Sequence, residues 1–245
     1  MGYNESVKRQ RKGIYVSKAH LIFTFLVVIA PFLFLLAFSS LSGISAVKMF
    51  SDVGISIFRL FIAYVISAVL AWTLAVSFYR GRRSLVALPT FDVMQSFPTF
   101  ATLPLAVTFF GASNATIIIF LVITMIWPIL FSIISSMKLI KSEWDEAVVI
   151  SKLSRWNYFV KFLWPVSAPA LVTGSIIGVG EGWEAVVATE IIVGSQSGLG
   201  AFFGKFSENP TMTALGILAL LIIIFSLGKL IWMPLLEKTH KRLEE

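Results

Sequence analysis

Three carboxylates fall within one apolar run, "GVGEGWEAVVATEII", which contains Glu181, Glu184 and Glu190. An ionisable group at the centre of a membrane helix costs about 2.5–3.5 kcal/mol on insertion scales, so each is a functional candidate by default. Glu181 and Glu184 are three residues apart and share one helix face. A second polar pair, Asp92 and Gln95, sits among three prolines in "LPTFDVMQSFPTFATLP" (Pro89, Pro98 and Pro104). Carboxylates and an amide so placed suit handling of a solute or an ion. Asp92, Gln95, Glu181, Glu184 and Glu190 are therefore the candidates for a translocation path or gate. The alternative is that they pair with Ser, Thr, Gln, a basic residue or backbone groups and only fix helix packing.

Covalent and metal chemistry find little support. The histidines are His20 and His240, far apart and without an H-E-x-x-H pattern, and a lone Asp92 provides no aspartyl dyad. Cysteine is absent, which removes thiolate metal sites and disulfides. No G-x-x-x-x-G-K-[ST] loop is present, so no nucleotide chemistry is expected on this chain. No catalytic residue and no metal ligand are assigned.

The elements that must hold these groups are membrane helices. Hydrophobic residues make up 57% of the 245, charged ones only 13%, and the mean hydropathy is +0.88. The apolar residues gather into runs of about 20, enough to cross a hydrocarbon core of about 30 Å. Six spans are expected, at about 21–41, 54–79, 85–110, 115–137, 166–193 and 212–236, with the third broken by its prolines. The basic flank of the first span resembles a signal peptide, but its apolar core is too long for one, and it is expected to be retained. The fold class is thus all-α and polytopic.

The net charge of +7 would suggest nucleic acid in a soluble protein. Its distribution points to the bilayer instead. Sixteen of the twenty Lys and Arg fall in the two tails, the second-to-third loop and the fourth-to-fifth loop. The positive-inside rule then puts both termini and those loops in the cytoplasm. Arg59, near the outer end of the second span, is expected to snorkel to the interface.

The fourth-to-fifth loop carries "KSEWDEAVVISKLSRWNYFVKFLWP", residues 141–165. Ser142 and Asp145 have capping-box spacing, and Glu143, Asp145 and Glu146 place negative charge in a first helical turn. A second amphipathic piece follows and is expected to stop at Pro165, which cannot continue a helix interior. Two readings fit: an interfacial helix with Trp156, Tyr158 and Trp164 as belt residues, or a projecting helix pair that docks on a cytosolic partner. The opposite-side stretch "GSQSGLGAFFGKFSENP" is expected to form a short re-entrant or surface helix.

The loop resembles the cytoplasmic signature of binding-protein-dependent ABC importer permeases: Glu-Ala-Ala, three residues, Gly, nine residues, Ile, one residue, Leu-Pro. Glu146, Ala147 and Pro165 match, and Val148 stands for the second Ala. Lys152, Phe162 and Trp164 replace the Gly, Ile and Leu, and loss of the Gly bears directly on the turn between the two short helices. "FRLFIAYVISAVLAWTLAVSFYRGRR" and the proline-broken segment resemble the family's core helices. "SRW" and "ATEIIVGSQSGLG" are similar to the subgroup importing nitrate, sulfonates, taurine and bicarbonate. The resemblance covers about residues 54–236.

It implies a type I importer fold with a second permease subunit, a cytosolic ABC ATPase dimer and an external solute-binding protein. ATP and Mg would bind the ATPase, with no cofactor in this subunit. Asp145, Glu146, Ala147, Val148, Lys152, Ser154 and Arg155 would form the ATPase-docking coupling segment, and Glu190 would match an acidic residue of the family pattern. The division that follows is a tail at 1–20, a first helix and loop at 21–53, a permease core at 54–236 enclosing the coupling loop 138–165, and a tail at 237–245. The solute implied is a small anion, yet two acidic groups on its path would repel it. That leaves open a cationic or neutral substrate, or carboxylates that protonate or bind a cation. The other function considered is a secondary transporter using these glutamates for proton coupling, but no inverted repeat accompanies them.

Overall fold

The computed structural model describes residues 18–140, 150–152 and 154–244, and among these every regular element is helical. Helix α1 runs Lys18–Ser42 and α2 runs Ala46–Phe78. Ser45 caps α2, accepting from the Lys48 amide at 3.3 Å, so this span starts well before residue 54. Helices α3 (Gly81–Gln95) and α4 (Thr99–Phe110) follow, bent by 81°. The bend falls at Pro98, whose missing N–H and steric demand on Phe97 end α3. Pro89 and Pro104 stay within their helices, so one of the three prolines makes the break.

Helix α5 is Asn114–Lys138, capped by Ser113. Then come α6 (Arg155–Tyr158), a π turn over Phe159–Leu163, and α7 (Trp164–Val193). Gly194 closes α7 in the left-handed conformation (φ 70°), its N–H bonded to the Ile191 carbonyl at 3.0 Å, the usual helix stop. A short α8 (Leu199–Lys205) precedes α9 (Pro210–Leu227), a second π turn (Gly228–Trp232) and α10 (Met233–Glu244).

One expectation needs correction. The helix does not stop at Pro165. It runs without a break through the proline, giving one apolar span of Trp156–Val193. The π turn explains this: the Trp164 amide bonds to the Phe159 carbonyl, five residues back. Pro165 then falls in the first turn of α7, where a missing donor costs little. Similarly, α9, its π turn and the start of α10 form one span, Pro210–Thr239.

The bent pair counts as one crossing. Arg59 in α2 bonds Asn114 at the start of α5, while Tyr79 at the end of α2 meets Tyr158, hydroxyl to hydroxyl, at 3.2 Å. Arg59 and Tyr79 are about 30 Å apart along a helix rising 1.5 Å per residue. Helices α3 and α4 therefore carry the chain across, from beside Tyr79 to beside Arg59. With the five long helices this makes six crossings among the described residues, and residues 18 and 244 lie on one face.

The centre is α7 packed on α5 and α2. Gly174 and Gly178 let α7 approach the α5 backbone at Met125, Pro128 and Ile129. Buried Leu121, Met125, Ile129, Ile133, Trp183 and Val186 fill the core. Side-chain bonds tie the helices where lipid offers none: Trp72 Nε1 donates to Ser167 Oγ at 2.9 Å, and Ser132 Oγ to the Ala170 carbonyl at 2.8 Å. Exposed Phe25, Phe58, Phe61, Leu105, Phe109 and Leu221 cover the perimeter, the surface expected against acyl chains.

Candidate functional site: a cavity at the helix break

The break between α3 and α4 opens a cavity of about 640 Å³ against the middle of α5 and α7. Gln95, Ser96 and Thr99 line it from the break, Thr124 and Trp127 from α5, and Glu181 from α7. Two of the five path candidates thus meet in one space. Asp92 is exposed one turn back on α3, where its Oδ1 accepts from Gln95 Nε2 at 2.7 Å, and it does not line the cavity. Glu184 is exposed one turn beyond Glu181, on the same face and also outside the lining. Glu181 and Glu184 make no hydrogen bond or ion pair with any described residue.

Glu190 has the opposite surroundings. It is fully buried, and its carboxylate accepts from Arg59 NH1 at 2.5 Å, from the Gly200 amide at 2.8 Å and from Ser56 Oγ at 2.9 Å to each oxygen. This is the packing arrangement, a satisfied buried network away from the cavity. Arg59 is likewise buried, which corrects the expectation that it snorkels. Its guanidinium also donates to Asn114 Oδ1 at 2.6 Å and to the Ser197 carbonyl at 3.1 Å. Snorkelling would forfeit these bonds and leave Glu190 without its counter-charge in the core.

The network extends to Asp52, which pairs with Lys48 at 2.8 Å and accepts from the Gly198 amide at 3.1 Å, while Ser56 Oγ accepts from the Leu199 amide at 2.8 Å. Asp52, Ser56 and Arg59 follow one another by four and three residues, a polar stripe on one face of an apolar helix. That spacing was the available signal for Asp52 and Ser56. The stripe clamps the segment 195–200 and so fixes α8, whose Leu199, Gly200, Phe202 and Phe203 are buried rather than lying on a surface. A Cβ at either Gly198 or Gly200 would overlap the Glu190 side chain, and Gly198 has φ +99°. The Gly-Leu-Gly run is therefore a close approach of backbone to the buried carboxylate.

On the opposite face, Asp145, Glu146, Ala147 and Val148 lie outside the described residues. Lys152 adopts φ +45°, the left-handed region that costs a residue bearing a Cβ roughly 1–2 kcal/mol. The turn is kept although a lysine stands where glycine would be unstrained. Ser154 starts the next helix, its Oγ accepting from the Asn157 amide at 3.3 Å, and Arg155 is the first residue of α6. Lys152→Gly is expected to stabilise the protein by up to about 1 kcal/mol, and Lys152→Val to destabilise it by about as much. Thermal unfolding of the purified variants would check this ordering.

Comparison with known proteins gives consistent matches. The chain is 31% identical over 155 residues to the nitrate import permease protein NrtB of Leptolyngbya laminosa, covering 63% of this chain and 55% of that one. It is 26% identical over 122 residues to the bicarbonate transport system permease protein CmpB of Synechococcus elongatus (49% and 44%). Over 144 residues it is 26% identical to the taurine transport system permease protein TauC of Escherichia coli (57% and 52%). The chain spans about half the length of these curated relatives. The model of the binding-protein-dependent transport system inner membrane component matches residues 67–238, which include α3, α4, α5, α7 and thus the cavity and Glu190, while Glu190's partners Ser56 and Arg59 lie before the matched range. By that match over more than half its length, the chain belongs to the family of binding-protein-dependent transport system inner membrane components.

Proposed function

We propose that this chain is the transmembrane permease subunit of an ATP-driven importer and forms part of the path of a small solute delivered by an external binding protein. The observation that carries the reading is the cavity at the Pro98 break, at mid-membrane depth, in a chain of this family. Irregular backbone at that depth needs protein or water to satisfy it, as beside a solute path. ATP hydrolysis is assigned to a separate cytosolic ATPase dimer, with Mg bound there. A second permease subunit, identical or not, completes the path. The relatives named for nitrate, bicarbonate and taurine support a small organic or inorganic anion, sulfonates included, as the solute.

The face holding residues 18 and 244 is assigned to the cytoplasm, because the basic residues cluster there. The segment with Asp145, Glu146, Ala147, Val148, Lys152, Ser154 and Arg155 is assigned to ATPase docking. The left-handed backbone at Lys152, just ahead of α6, supports this, since a sharp turn there suits a projecting segment. Glu146→Arg and Ala147→Arg are each expected to cut co-purification of the ATPase at least tenfold while membrane insertion is unchanged. Undiminished co-purification would remove the docking assignment. Uptake that survived deletion of every ATPase partner would replace the importer reading with proton coupling.

A further inference from the structure

The cavity at the helix break combines three features that together define a ligand chemistry. Its charged lining residue is Glu181, which has no partner among the described residues. Three aromatic residues, Phe97, Phe100 and Trp127, are among those that line it. No described Lys or Arg lines it, and Arg59 is already neutralised by its ion pair with Glu190. A bare oxyanion would meet an unpaired carboxylate and no counter-charge. A positively charged nitrogen would meet both a carboxylate and π faces, the pairing that recognises organic ammonium groups.

We propose that this cavity is a solute subsite for an ammonium group, with Glu181 supplying the counter-charge, Trp127 a π face, and Gln95 and Thr124 polar contacts. This rests on the permease reading and narrows its solute class. Among small solutes carrying an anionic group, zwitterions with an amine fit the cavity, whereas nitrate-like ions do not. An anionic end of such a zwitterion would be repelled by Glu181 and held away from it.

The test compares probes that differ only in the charged nitrogen, titrated against the full-length chain in its assembled, detergent-solubilised complex. Taurine is paired with ethanesulfonate, and choline with its neutral isostere 3,3-dimethylbutan-1-ol. In at least one pair the ammonium member is expected to bind at least tenfold more tightly, nitrate is not expected to displace it, and Glu181→Gln is expected to abolish the preference while Glu181→Asp retains most of it. If Glu181→Gln does not assemble, Trp127→Leu replaces it with the same expected loss. Equal binding within both pairs, absence of binding by both ammonium probes, displacement by nitrate, or a preference that survives the variant would each overturn the proposal. Co-purified ATPase is scored on the same samples, so failure of the permease reading is seen separately from failure of the subsite.

Discussion

Arg59→Leu is expected to destabilise the protein by about 3–5 kcal/mol, the usual consequence of stranding one charge of a buried ion pair. The Glu190 carboxylate would remain at zero exposure with only Ser56 and the Gly200 amide against it. The loss would be local at first. Arg59 also holds the Ser197 carbonyl and Asn114, so its removal frees the segment 195–200 from both α2 and α5. Limited proteolysis should therefore find new cleavage around α8 before the bundle melts. The double variant Arg59→Leu/Glu190→Leu should recover a large part of the stability, because no charge is left unpaired. A single variant with wild-type melting and wild-type protease resistance would show that the pair does not bear on the fold.

Gly174→Val is expected to be the next most damaging change, at about 1–3 kcal/mol or more from overpacking. A Cβ on Gly174 would stand 2.8 Å from Ile129 Cα and 2.9 Å from the Pro128 carbonyl oxygen. Those atoms belong to the α5 backbone and move only if α5 and α7 separate. Neighbouring glycines provide internal controls. At Gly182 the crowding comes from the Leu60 Cδ1 and Met125 side chain, which rotate away at smaller cost. At Gly180 a Cβ meets nothing within 4 Å. Alanine substitutions should thus rank 174 worst, 182 intermediate and 180 neutral or favourable, read as melting temperature in one detergent. A flat series would show that α7 does not depend on close backbone contact.

What was legible in the sequence follows from which physics is local. The apolar runs and a proline break in the third span depend on length and on a ring's missing donor, so both were visible, though not that Pro98 alone of the three prolines makes the break. Which carboxylate faces the cavity and which is paired was not. Glu181 and Glu190 occupy similar apolar surroundings in sequence, and their difference arises from what α2 and α3 bring opposite them. Arg59 was misplaced for the same reason: near a span end, a lone arginine reads as a snorkelling one unless its partner, more than a hundred residues away, is known. Pro165 was misread because the rule for helix interiors assumes α geometry, and the π turn before it shifts the register. At Lys152 the resemblance to a glycine position was informative even though the glycine is gone, since the left-handed turn is there.

The uninterrupted span Trp156–Val193 has a mechanical meaning. At 1.5 Å per residue it is a rod of about 57 Å, with the Lys152 turn just beyond one end and Glu190 near the other. Glu181 sits between them. A torque applied at the base of such a rod reaches the cavity wall and the far clamp together, since no loop intervenes to absorb it. The widened turn at Phe159–Leu163 and Pro169 both interrupt its α ladder, and both lie near the Lys152 end.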